Sequence, residues 1–149
     1  MSIKKWIARM IYGASGGLSP LELGLVQSVR RILDSSEGPV MDRQIEMIYL
    51  VQRGHGNRMT TLHFDGPPPL FEDTRENLCF AKISYRLGGE KYRTSLFLHR
   101  GRLSSLETNK PLSRKALRAV PDSPDASFVF KLQGGLGESL DQEEHVDPL

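Results

Sequence analysis

Gly88-Gly89 lies between two stretches, Leu78 to Leu87 and Glu90 to His99, in which apolar and polar side chains alternate. Alternation has the period of a strand, and a Gly-Gly pair supplies the positive φ angles of a two-residue hairpin turn. The turn then fixes every cross-strand partner. Tyr85 is expected opposite Tyr92, Ile83 opposite Thr94, Ala81 opposite Leu96 and Cys79 opposite Leu98, which makes one apolar face. On the reverse face Arg86 meets Lys91, Ser84 meets Arg93 and Lys82 meets Ser95, with no carboxylate among the six. Further from the turn Phe80 and Phe97 are expected to pair on this same basic face.

The remaining segments arrange themselves around that hairpin. Ile3, Trp6, Ile7, Met10 and Ile11 recur at helical spacing, opposite Lys4, Lys5 and Arg9, and predict a short amphipathic helix that Gly13 to Gly17 ends. A second helix has a stronger start: Ser19 is a candidate N-cap, Pro20 suits the first helical position and Glu22 completes a capping box. Its apolar stripe is Leu21, Leu25, Val29 and Ile32, and Ser35-Ser-Glu-Gly-Pro39 is read as its stop. Alternation from Ile45 to Gln52 predicts a strand. The loop Gly54-His55-Gly56-Asn57 then closes a hairpin that sets Arg53 opposite Arg58, Val51 opposite Thr60, Tyr49 opposite Leu62 and Met47 opposite Phe64. Residues 65 to 77 hold Pro67-Pro-Pro69, which cannot continue a ladder, and read as loop. Arg100-Gly101 turns into a strand over 102 to 107. Pro111 to Val120 reads as a short helix capped by Ser113, and 128 to 132 as a last strand. The expected fold is α+β: two N-terminal helices packed on an antiparallel β-meander of about six strands, with one short helix before the last strand. One domain over 1–133 accounts for it. Residues 134–149, with Glu138, Asp141, Glu143, Glu144 and Asp147, are expected to form a flexible acidic tail.

Charge is distributed unevenly. Residues 78 to 120 hold ten Lys and Arg against Glu90 and Glu107, a balance of +8, whereas the last twenty-nine residues stand at −6. The basic block points to an anionic partner, with Lys82, Arg86, Lys91 and Arg93 as the binding ridge and Phe80 and Phe97 as aromatic anchors. A basic segment of this kind also fits nucleic acid, although the two phenylalanines sit at the far end of the face from the charges. No stretch approaches the roughly 20 apolar residues of a membrane-spanning helix. Arg9 interrupts the apolar run that a signal peptide needs, and the single cysteine, Cys79, makes no internal disulfide, so a cytoplasmic setting is expected.

A search for chemistry is mostly negative. His55, Arg53, Arg58, His63 and Asp65 sketch a metal-independent nuclease, but His55 at the hairpin tip and His63 down the strand are separated by roughly 15 Å at strand rise. Histidine and cysteine spacings match no metal motif, so no metal or other cofactor is expected. Cys79, expected to face the core, is a poor nucleophile there. Gly134-Gly-Leu-Gly137 fits no phosphate-binding loop.

The run Leu96-Phe-Leu-His-Arg-Gly-Arg-Leu-Ser-Ser-Leu-Glu107 resembles the strand-turn-strand of small bacterial toxin-immunity-type proteins. That resemblance covers 96–107 and stops short of the helical opening of the SUKH-like immunity proteins. It implies a cytoplasmic inhibitor that binds a protein partner, such as a toxin domain, with no catalytic residues.

Overall fold

A computed structural model describes residues 17–129. In chain order the elements are α1 (Pro20–Arg30), α2 (Gly38–Met47), β1 (Ile48–Gly54), β2 (Met59–Phe64), β3 (Leu78–Leu87), β4 (Glu90–His99), β5 (Arg102–Thr108), α3 (Arg114–Arg118) and β6 (Asp122–Phe128). All six strands join one antiparallel sheet in the order β1-β2-β5-β4-β3-β6. The α+β class and the six-stranded antiparallel sheet are therefore those expected. The helix expected over 3 to 11 and the tail over 134–149 lie outside the described residues.

α1 forms where its capping signals stand. Glu22 N–H donates to Ser19 Oγ at 3.2 Å and Ser19 N–H donates to Glu22 Oε1 at 2.8 Å, the reciprocal pair that occupies two orphan amides of the first turn. Leu21, Leu25, Val26 and Val29 point into the core, and the helix packs on β6, α3 and β3. α2 departs from the expected stop. Gly38-Pro39 is not a terminator but the first turn of this helix, a position where proline's missing N–H costs nothing. Met41 and Gln44 are fully buried, with Val40 and Ile45 packed beside them, so the stripe has helical spacing and the alternation from Ile45 onward is strand only from Ile48.

The β3–β4 register follows the Gly88-Gly89 turn as expected from Ala81 to Leu87, including Tyr85 with Tyr92 and Arg86 with Lys91. Both glycines have positive φ, 58° and 86°. Nearer the far end the pairing shifts between Cys79 and Ala81, a bulge that turns Phe80 over. Cys79 consequently pairs with Phe97 rather than Leu98, and Leu78 takes Leu98. The β1–β2 hairpin is displaced as well. Its loop carries positive φ at His55, Gly56 and Asn57, so Gly54 closes on Met59, Arg53 pairs with Thr60 and Val51 with Leu62. Arg53 therefore does not face Arg58. The displacement is even, so Val51 keeps its core face, until a bulge at Tyr49 sends Ile48 to the core and Leu50 to a small separate cluster with Tyr49.

β2 pairs with β5 and not with β3, so the chain from 65 to 77 passes beneath the β4–β5 corner as loop. There Phe71 N–H donates to Gly101 O at 2.9 Å and Arg100 N–H to Arg75 O at 2.8 Å. A Cβ on Gly101 would stand 2.8 Å from Phe71 O, and its φ is +83°, so only glycine fits. Gln44 locks this corner. Its amide donates to Pro69 O at 2.7 Å and Gly101 O at 3.0 Å, while its Oε1 accepts from Leu103 N–H at 2.8 Å.

The last strand begins earlier than expected, at Asp122 instead of Phe128, and residues 130 to 132 lie outside the described residues. Pro124 is tolerated because, among the described residues, β6 is an edge that pairs only with β3, and the ladder is irregular between Ser84 and Arg86.

Candidate functional site

Lys82, Arg86, Lys91 and Arg93 all project, exposed, from the sheet face opposite the helices. The alternation of a strand places them there: the neighbours Ile83, Tyr85 and Thr94 turn inward and are buried. Arg86 donates through a guanidinium nitrogen to Gly89 O at 2.9 Å, which draws it over the turn. Arg93 is fixed through its backbone, its N–H donating to Asn109 Oδ1 and its carbonyl accepting from Asn109 N–H, both at 3.0 Å. Among the described residues none of the four cations forms an ion pair.

β6 changes the character of this face. It sets Asp122 beside Arg86 and Asp125 beside Ser84, so the far wall of a cleft of about 540 Å³ is acidic while Arg86, Lys91 and Arg93 make the near wall basic. Reading β6 as beginning at Phe128 hid both carboxylates. On the reverse face, where Tyr92 stacks on Tyr85, Lys110 Nζ lies 4.4 Å from the centroid of the Tyr92 ring and pairs with Glu90 at 2.8 Å, and that ammonium holds the Glu90 carboxyl below its usual range.

The expected aromatic anchors are not both present. Phe80 is fully buried, with its ring 6.0 Å from Phe71 and 6.2 Å from Phe128, because the bulge carries it to the core side. It cannot touch a partner. Phe97 remains on the outer face, half-buried, with Cys79 beside it. Cys79 is thus half-buried and outward-facing instead of a core residue; burial pushes its thiol pKa up, so the sulfur stays a weak nucleophile.

The nuclease set is not assembled. His55 shares a shallow depression of about 170 Å³ with Arg58, Met59 and Glu107, whereas His63 lines a different cleft. That second cleft, of about 450 Å³, opens where β2 and β5 part, and brings His63 together with His99, Arg102 and Asn77. His63 Nε2 lies 3.0 Å from Gln52 Oε1, and burial pushes the His63 pKa down. His99 Nδ1 lies against Glu76 O, and the Arg102 guanidinium stands 5.9 Å from the Phe64 ring centroid. Sequence spacing carries no sign of this cluster, since its members come from β2, β4, β5 and the 65–77 loop.

No three His, Cys, Asp or Glu side chains gather as a metal site among the described residues, and no described helix is long and apolar enough to cross a membrane. The chain matches no family model, no curated protein and no solved structure.

Proposed function

We propose that this chain is a non-enzymatic binding protein, an immunity-type inhibitor working in the cytoplasm, whose basic sheet face engages an acidic protein partner. One observation carries the reading: four exposed cations stand in register on a rigid sheet, two of them directly opposite one another, with no ion pair to them among the described residues. Like charges in a cross-strand pair cost stability, and a partner's carboxylates would offset that cost on binding. Asp122 and Asp125 on the opposite wall favour a protein over a nucleic acid, since they repel a phosphodiester backbone and welcome a partner's Lys or Arg. Phe97, half-buried on the same outer face, supplies apolar contact.

The test is affinity capture from host lysate with the full chain and with the double variant Arg86→Ser/Lys91→Ser. A partner retained by the first and lost from the second, with both equally folded, supports the basic face. Equal capture removes it. A parallel titration with DNA and RNA addresses the alternative reading: affinity that falls steeply with salt, with a log–log slope of several units, favours a nucleic-acid-binding protein using residues 78–120.

A further inference from the structure

We propose that the cleft between the diverging ends of β2 and β5 binds the phosphate group of a small phosphomonoester, a site separate from the basic ridge. The cleft exists because the sheet stops short. β2 and β5 pair only from Met59 to Thr61, with Ser105 the last partner, although β2 continues to Phe64 and β5 begins back at Arg102. Leu103 N–H, which a longer ladder would use, goes to Gln44 instead. The gap is therefore built into the corner.

The lining suits an anion, and Glu76, the acid that senses His99, lies outside it and is paired with Arg100. Arg102, His63, His99, Asn77, Thr61 and Ser104 all contribute polar side chains, and no carboxylate lines the cleft among the described residues. This contrasts with the ridge cleft, where two aspartates form a wall. Arg102 is exposed, forms no ion pair among the described residues, and is steadied over the Phe64 ring, so its planar fork is available to two phosphate oxygens at once. Each histidine has one ring nitrogen committed, His63 to Gln52 and His99 to the Glu76 carbonyl, which orients the ring and leaves the other nitrogen for a ligand. With the committed nitrogen donating, the other nitrogen of a neutral ring accepts, and the acidic hydroxyl of a monoester monoanion is a suitable donor to it. A carboxylate presents two coplanar oxygens, whereas a phosphomonoester presents three around a tetrahedron, which suits donors that converge from β2, β5 and the 65–77 loop. The volume lies within the roughly 300 to 1,000 Å³ of small-molecule sites, more than bare phosphate fills, which leaves room for an attached organic group.

The experiment uses the full chain at a pH of about 6.5, near the second phosphate pKa of about 6. Inorganic phosphate, adenosine monophosphate and adenosine are titrated separately, with heat of binding and amide shifts as readouts. Adenosine monophosphate is expected to bind with a dissociation constant near or below about 1 mM, phosphate more weakly and adenosine not at all, with shifts at His63, Asn77, His99 and Arg102. Arg102→Ala should weaken binding by about tenfold or more, and Asn77→Asp, which adds a carboxylate to an exposed position, should do the same. Both variants sit at exposed side chains, and an unchanged melting temperature verifies the fold. Arg86→Ser/Lys91→Ser should bind as the parent does, which separates this site from the ridge. Three results would each overturn the proposal: no binding to the parent chain, adenosine binding as well as its monophosphate, or affinity lost in the ridge variant and kept in Arg102→Ala.

Discussion

The two halves of the sheet are held together by different means. The β3–β4 hairpin is specified locally: a two-glycine turn and an alternating pattern settle its register, and its inward side chains pack as an apolar layer. The β1–β2–β5 half has a displaced hairpin, a bulge at Tyr49 and only three paired residues between β2 and β5, and two buried polar side chains from the helices fasten it. Glu22 of α1 accepts from Arg53 Nε at 2.9 Å, Arg53 Nη2 at 2.6 Å and Thr60 Oγ1 at 2.8 Å, while Gln44 of α2 ties the β4–β5 corner. Locally specified structure carries the exposed charged ridge. The clamped half, assembled from distant segments, carries the anion cleft.

Removing a clamp is the strongest way to break that contrast. Glu22→Ala leaves the Arg53 guanidinium, mostly buried, without this carboxylate, and the expected loss is about 3 to 5 kcal/mol in urea unfolding. Hydrogen exchange should rise first in β1 and β2, with β3 and β4 last to open. The same pair gives a pH dependence. Burial alone would raise the Glu22 pKa, but hydrogen bonds from Arg53, the Ser19 amide and Thr60, together with the Arg53 charge, outweigh it and hold the pKa below the unfolded value. A depressed folded-state pKa contributes stability that is complete above the unfolded value of 4.5 and is lost as pH falls through the folded one. The parent chain should therefore lose stability below that pH more steeply than Glu22→Gln does; parallel acid limbs would refute the assignment.

Gln44→Ala comes next. It strands two backbone groups at the β4–β5 corner, Pro69 O and Leu103 N–H, while Gly101 O keeps its bond from Phe71 N–H, for a loss of roughly 2 to 4 kcal/mol, since water enters the space left behind and recovers part of the cost. The expected signature is regional: amide shifts move at Gly101, Leu103 and the lining of the anion cleft, while Arg86 to Arg93 keep theirs. Shifts spread evenly over both halves would mean that the sheet is one mechanical unit after all.

Legibility follows the same division. The capping box of α1 and the hairpin turn are signals within a few residues of each other, so Ser19, Glu22, Gly88 and Gly89 can be read directly. α2 is hidden because Gly38-Pro39 serves equally well as a stop or as a first turn, and only the burial of Met41 and Gln44 by distant segments decides between them. Phe80 is misplaced by a simple alternation because a bulge needs one extra residue and leaves no mark in the pattern. Asp122 and Asp125 stand outside the expected strand because Pro124 argues against a ladder, and an edge position removes that objection. His63, His99 and Arg102 meet only through the sheet order, which pairs β2 with β5.

The hairpin turn offers a smaller test of local specification. Gly89 has φ +86°, and among the described residues no atom beyond its chain neighbours lies within 4 Å of the point where a Cβ would stand, so Gly89→Val tests mainly backbone strain. A β-branched residue with positive φ costs about 1 to 2 kcal/mol. The register below the turn should survive, because the apolar layer from Ala81 to Tyr85 is indifferent to the turn's chemistry; a slipped register would show that the two glycines alone set it.

The smallest effect separates repulsion from attraction at the ridge. Arg86 has Lys91 on one side in β4 and Asp122 on the other in β6. Lys91→Ser removes the like-charge neighbour and leaves Arg86 with Asp122, so it should stabilise the chain by a few tenths of a kcal/mol, within the roughly 0.2 to 1 kcal/mol of cross-strand pairs. Arg86→Ser removes the repulsion and the attraction together, and with them the hydrogen bond to Gly89 O, so its net change should be zero or slightly unfavourable. The difference between the two variants should shrink as salt rises, because exposed charges are screened within about 8 Å at physiological ionic strength. Equal shifts in the urea midpoint for both variants would mean that the splayed side chains at the tip do not sense one another, and the cost that motivates a binding partner for this face would be absent.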